Sequence, residues 1–195
     1  MDGIFTPYFL QSACAHAASE IRILFVEQPS SLPIIISSKG ELTVQYIAGG
    51  EKKEKTFGEL HQDALTGVIP DARTFVTIKG NVTYLHIEGP APLTATVGSC
   101  NLSKCSTIKN LYISGSEISN LELPNNDKSI INFDTSIGRV DFIKCKSDNQ
   151  LVANVVAAAI TNSSQSGDVF TNSDGAYYNT IAQAAITAGW TINNI

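Results

Sequence analysis

The sequence predicts a mainly β protein with an α/β C-terminal cap, in which an N-terminal β-rich domain leads into a short parallel β-solenoid. Three observations carry this reading. Apolar and polar residues alternate early in the chain, spaced apolar pairs recur in its middle, and the spacing turns helical near the end. The divisions fall at residues 1–73, 74–148 and 149–195.

In the first division, Ile21–Val26 and Leu32–Ile36 are apolar runs of strand length. Leu42, Val44 and Tyr46 alternate with Thr43 and Gln45, the period of a half-buried strand. Gly49-Gly50 closes that strand as a turn, and the mixed-sign run Glu51–Lys55 leads into the next as a solvated segment. Pro29 and Pro33 bracket a serine-rich loop. Phe57 to Leu65 reads as a short helix.

The second division opens on Thr74–Ile78, a strand ended by Gly80. An apolar pair two residues apart then recurs as Leu85/Ile87, Leu111/Ile113, Leu121/Leu123, Ile131/Phe133 and Ile143/Cys145. Alternate residues of a strand share a face, so each pair points two side chains inward. The middle three pairs start at 111, 121 and 131, a step of ten. Gly115, Pro124-Asn125-Asn126 and Thr135-Ser136 follow them as turns. One such unit cannot bury its own apolar face, so units in series stack into one continuous core. The expected repeat core is Leu85, Ile87, Leu102, Leu111, Ile113, Leu121, Leu123, Ile131 and Phe133. His86, between two inward residues, faces away from that core.

The third division is helical at first. Leu151, Val152, Val155, Val156, Ala159 and Ile160 share one helix face, and Asp148 or Ser147 is placed to cap its start. Gly167–Phe170 reads as a short strand. A second helix follows Ser173-Asp174-Gly175, with Gly189 where a left-handed C-terminal cap is wanted. Trp190-Thr191-Ile192 makes a final strand, with Trp190 as a buried anchor of the cap. Such a cap protects the last coil of a solenoid, whose core would otherwise lie open.

Composition excludes several function classes. The 195 residues are 43% hydrophobic and 16% charged, which allows a packed core. A formal net charge of -5 lacks the basic footprint of a nucleic-acid binder. No run of 18 apolar residues is present to span a membrane as a helix. The N-terminal stretch has no Lys or Arg before Arg22 and its apolar runs are broken, so it is expected to be mature sequence rather than a signal peptide. Met1 is read as a natural start. Cys14, Cys100, Cys105 and Cys145 form no C-x-x-C motif and lie far in sequence from most of the three histidines, so small buried thiols are expected.

The stretch Asn101-Leu102-Ser103-Lys104-Cys105-Ser106-Thr107-Ile108-Lys109-Asn110-Leu111-Tyr112-Ile113 resembles the repeat of bacterial surface leucine-rich-repeat proteins, roughly L-D-V-S-K-N-T-A-L-T-x-L-x-C. Leu102, Ser103, Lys104, Thr107, Ile108, Leu111 and Ile113 fall in register, as do Ile118, Leu121 and Leu123 on the next half-turn. The stretch Thr74–Leu85 resembles the strand that leads into the first repeat of such proteins. Gly189-Trp190-Thr191-Ile192 resembles their closing G-W-T-[IV] strand. Pro124 and an incomplete asparagine ladder depart from the pattern. The resemblance implies a leucine-rich-repeat-like solenoid for adhesion or recognition and carries no catalytic residues.

Local motifs yield little chemistry. Asp134-Thr135-Ser136 lacks the glycine that an aspartic protease needs at its third position. Asn172-Ser173-Asp174-Gly175 matches part of a calcium loop, but Phe170 stands at the first ligand position and no Glu at the twelfth. There is no G-x-S-x-G, no dinucleotide fingerprint and no phosphate loop. No catalytic, cofactor-binding or metal-binding residue is therefore expected. The expected function is a non-catalytic structural or recognition protein, first a phage virion component such as a decoration, fibre or tail protein. A bacterial cell-surface or secreted adhesion module is the alternative, and an unrecognised enzyme the third class. Expected partners are other proteins, with glycans as a further class and self-association as a route to avidity.

Overall fold

The computed structural model describes residues 19–87 and 97–195, with backbone only at 115–117, 136 and 138. Cys14, His16 and the stretch read for a signal peptide lie outside the described residues. Among those described, ten strands form one mixed sheet. They are β1 (Glu20–Phe25), β2 (Ile34–Ala48), β3 (Glu51–Phe57), β4 (His61–Ala64), β5 (Thr74–Ile87), β6 (Val97–Asn101), β7 (Asn110–Glu122), β8 (Asn132–Lys144), β9 (Asp168–Thr171) and β10 (Thr191–Asn194). Their order is β10-β9-β8-β7-β6-β1-β5-β2-β3, with β4 on β2 and a further pairing of β5 with β7. Helices α1 (Gln150–Asn162) and α2 (Tyr178–Ala188) precede β9 and β10.

The first half is antiparallel. Ile21, Ile23 and Phe25 of β1 alternate with solvated residues and are fully buried, as are Leu42 and Val44 of β2. The β2–β3 hairpin turns at Gly49 and Gly50, whose φ values of 63° and 77° suit a primed turn. The helix expected over Phe57–Leu65 is instead strand β4, paired antiparallel with Ile35 and Ile36 of β2. A free edge of β2 is the stronger attractor there. Gly58 and Glu59 make no regular structure, and the Ser38 amide donates to the Leu60 carbonyl at 3.0 Å. The boundary expected at residue 73 does not interrupt the sheet, because β5 pairs with β1 and β2.

The second half is parallel. Leu85, Leu111 and Phe133 sit side by side on β5, β7 and β8. Further along the same strands, Cys100, Leu121, Ile143, Val169 and Ile192 form a second row across β6 to β10. The repeat step is corrected by this register. Leu111 and Leu121 lie on one strand and do not stack on each other, and the neighbour of Asn110 is Asn132, 22 residues on. Gly115 and Thr135-Ser136 accordingly fall inside strands rather than at turns. Ile131 is also corrected: it is 63% exposed, whereas Ile130 beside it is buried. Both the Ile131 and Asn132 amides donate to the Lys109 carbonyl (2.8 and 3.1 Å), which holds Ile131 in the turn before β8 begins. The other eight expected core residues are buried.

The C-terminal elements cover the inner face. Val152, Ala153, Val156, Ala159 and Ile160 of α1 are buried. Its N-cap is Asn149, not Asp148 or Ser147: the Asn149 Oδ1 accepts from the Leu151 amide at 2.9 Å and the Val152 amide at 3.4 Å. Ser147 is occupied elsewhere, its Oγ donating to the Asn172 carbonyl at 2.9 Å. The Asn149 Nδ2 donates to the carbonyls of Asp127 and Ile130, both at 2.9 Å, and so ties the turn after β7 to the helix. Gly189 ends α2 at φ 72°, and Trp190 beyond it is buried. Gly167 opens β9 so close to the Asp141 carbonyl that any Cβ there would collide with it.

Asn149→Ala should lower stability by about 1–2 kcal/mol, since it removes a cap and takes a side-chain donor from the Asp127 and Ile130 carbonyls. Urea unfolding measures this; an unchanged midpoint would refute the role given to Asn149.

Candidate functional site

The outer face of the parallel strands is built by alternation. Where Leu85, Ile87, Leu111, Ile113 and Phe133 point into the core, the residues between them point out. Tyr84, Asn110 and Asn132 form one outward row, and His86, Tyr112 and Asp134 form the next. Neighbouring parallel strands bring such rows within side-chain contact.

The contacts run along and across these rows. The Tyr84 and Tyr112 rings are 5.5 Å apart, tilted by 42°. His86 meets Tyr112 edge-on at 5.8 Å. The Asn132 Nδ2 donates to the Asn110 Oδ1 at 2.6 Å, a side-chain amide ladder parallel to the backbone one. The Ser114 hydroxyl donates to the Ile87 carbonyl at 3.3 Å. Partial burial, and then the neighbouring Tyr112 phenol, raise the Tyr84 pKa, so its phenol stays neutral over a wide pH range. A third ring contact, Phe142 with Phe170 at 4.9 Å, joins β8 to β9. Each aromatic pair here stabilises by about 0.5–1.5 kcal/mol beyond its buried area. This surface offers ring faces, amides and hydroxyls, the chemistry of recognition by stacking and hydrogen bonding.

His86 is half-exposed on this face, as its place between two inward residues implies. The same logic applied to Leu111/Ile113 and to Phe133 would have pointed to Tyr112 and Asp134, which the sequence reading left unused. Asp134 and Asn172 stand apart. Asp134 sits on the outer face of β8, while the Asn172 Oδ1 accepts from the Ser147 amide at 2.8 Å and so serves the turn after β8. The Asn172 Nδ2 donates to Asp174 at 3.2 Å. Among the described residues, no three His, Cys, Asp or Glu side chains gather as a metal site, and no helix is long and apolar enough to cross a membrane.

Cys100, Cys105 and Cys145 are free and buried, and burial pushes the Cys100 and Cys145 thiols up to about 12. Folded protein should therefore take up at most one equivalent of iodoacetamide at neutral pH, at Cys14, and four after denaturation. Intact mass before and after denaturation measures this, and rapid labelling of Cys100 or Cys145 in the folded state would contradict it. Comparison of the chain with protein-family models, curated proteins and solved structures returned no match.

Proposed function

We propose that the chain is a non-catalytic structural or recognition protein, built around a short leucine-rich-repeat-like solenoid, that binds a protein partner through the outer face of its parallel strands as a component of a virion. The observation that carries this reading is the in-register ladder of Tyr84, Asn110 and Asn132 beside His86, Tyr112 and Asp134. The 22-residue step from Asn110 to Asn132 falls in the roughly 20–29-residue range of leucine-rich repeats. Rigid strands hold the rings and amides in place before binding, which lowers the entropy cost of association. Tyrosine suits such a face, since it supplies a large amphipathic contact with few rotatable bonds. The virion setting draws support from the three buried free thiols, which fit folding in a reducing compartment and release by lysis.

Purified particles from cells that make the protein test the setting. The chain should band with them at fixed stoichiometry in quantitative proteomics; recovery from the outer surface of intact cells instead would favour an adhesion module and sink the virion reading. The double variant Tyr84→Ser, Tyr112→Ser should fold, both residues being partly exposed, yet lose at least tenfold in incorporation. Full incorporation of that variant would place the binding surface elsewhere.

A further inference from the structure

A groove of about 720 Å³ crosses the antiparallel half of the sheet, lined by Arg22 of β1, Gln45 of β2, Lys52 and Glu54 of β3, Arg73 in the turn before β5, and Phe75 and Thr77 of β5, with further residues between them. Its charge is opposite to that of the protein as a whole. Arg22, Lys52, Lys53 and Arg73 stand against the single carboxylate of Glu54, in a chain of net charge -5. Lys53 pairs with Glu51, but among the described residues Arg22, Lys52 and Arg73 form no ion pair. Glu54 is already held by the Gln45 side-chain amide at 2.7 Å. Arg22 lies over the Phe75 ring at 4.6 Å, and Phe75 is 40% exposed, unusual for a phenylalanine of a sheet.

The rim of the groove is fixed. The Asp71 carboxylate accepts from the amides of Gly49 (3.0 Å) and Gly50 (2.8 Å), and the Asp71 amide donates to the Ile47 carbonyl at 2.7 Å. These bonds clamp the β2–β3 hairpin to the turn before β5. Arg73 then adopts a φ of 58°, a left-handed conformation that strains a side-chain-bearing residue. Its amide donates to the Phe25 carbonyl at 2.7 Å, which holds the strained backbone in place. A glycine would serve such a turn with no penalty, and the chain carries an arginine there.

The geometry points to this groove as a binding site for an acidic oligosaccharide, a sugar chain bearing carboxylates. Arg22 and Arg73 supply forked donors for carboxylate, Lys52 a further charge, Phe75 a ring face for the apolar side of a sugar, and Gln45 and Thr77 partners for hydroxyls. An acidic peptide fits less well. At the groove floor Arg22, Gln45 and Thr77 already meet in the backbone ladder, so β1, β2 and β5 offer peptide backbone no free edge there, and of the four strands that line the groove β3 alone ends the sheet.

Calorimetric titration of the full chain with tri-galacturonate tests this, against its neutral galactose counterpart, an acidic tripeptide and inorganic phosphate at fixed ionic strength. Tri-galacturonate should bind at least tenfold more tightly than each of the three. Arg73→Gly, which meets the backbone conformation without strain, should fold like the wild type and lose at least tenfold in affinity, as should Arg22→Gln. Lys104→Ala, a cation outside the groove, should bind like the wild type. Equal binding of the neutral sugar, a preference for peptide or phosphate, or full affinity in Arg73→Gly would each overturn the assignment.

Discussion

The rest of the structure depends on the way β5 changes partners along its length. Over Thr74–Lys79 one side of β5 is hydrogen-bonded antiparallel to β1, and over Tyr84–Ile87 it is hydrogen-bonded in parallel to β7. The change takes place at Gly80. Its φ of 147° is open to glycine, its amide donates to the Ser19 carbonyl at 3.0 Å, and a Cβ would press on the Glu41 carbonyl. The facing strand β2 slips register between Ser38 and Leu42, so the seam is an irregularity shared by two strands. Val76 and Ile78 before it, and Val82, Leu85 and Ile87 after it, are all buried. The inward alternation runs through Gly80 unchanged to Val82 and resets before Leu85, where β2 slips a second time between Ser37 and Ser38, and one hydrophobic core runs under both halves.

How much of this was legible in the sequence follows from the range of each interaction. Alternation and helical spacing are local, so the strands around Ile21–Phe25 and Leu42–Tyr46, helices α1 and α2, and the Gly189 stop could all be read directly. Register is not local. Leu111 and Leu121 look like successive repeats ten residues apart, yet they are two points on one long strand, and their true neighbours are Phe133 and Ile143. Ile131 illustrates the same limit: its spacing suits the core, but the turn that starts β8 leaves it in water. At β4, weak local preference yielded to an open edge on β2. The outward ladder was half legible, through His86; the groove was not, because its residues come from four strands and their shared charge emerges only on folding.

Two surfaces of different character result. The ladder face on the parallel strands is aromatic and amide-rich, with Asp134 at its margin. The groove on the antiparallel strands is cationic, and its shape rests on the Asp71 clamp. The two glycine amides hold the Asp71 pKa below its usual value, which means that folding favours the charged carboxylate. The clamp is thus fully made above the ordinary aspartate range and weakens only as pH falls through the lowered value. Asp127 behaves in the opposite way. Burial is the largest influence on it and raises its pKa, although it accepts from the Asp148 and Asn149 amides (3.2 and 3.1 Å). Its ionisation opposes folding, so its share of stability is greatest below the unfolded pKa and declines as pH rises through the raised one. The two carboxylates thus act on different parts of the fold and with different sign.

The stacked rows of the parallel half carry a consequence for how such a protein can vary. At the far end of the sheet the pairing is simple: β9 pairs with β8 and β10, and β10 pairs with β9 alone. A change at β10 therefore leaves the strand pairings upstream of β9 untouched. The seam at Gly80 has no such freedom, since two sheet registers and a backbone close approach meet there. Tolerance of change is therefore expected to differ along the sheet, least at the fifth strand and greatest at its β10 end.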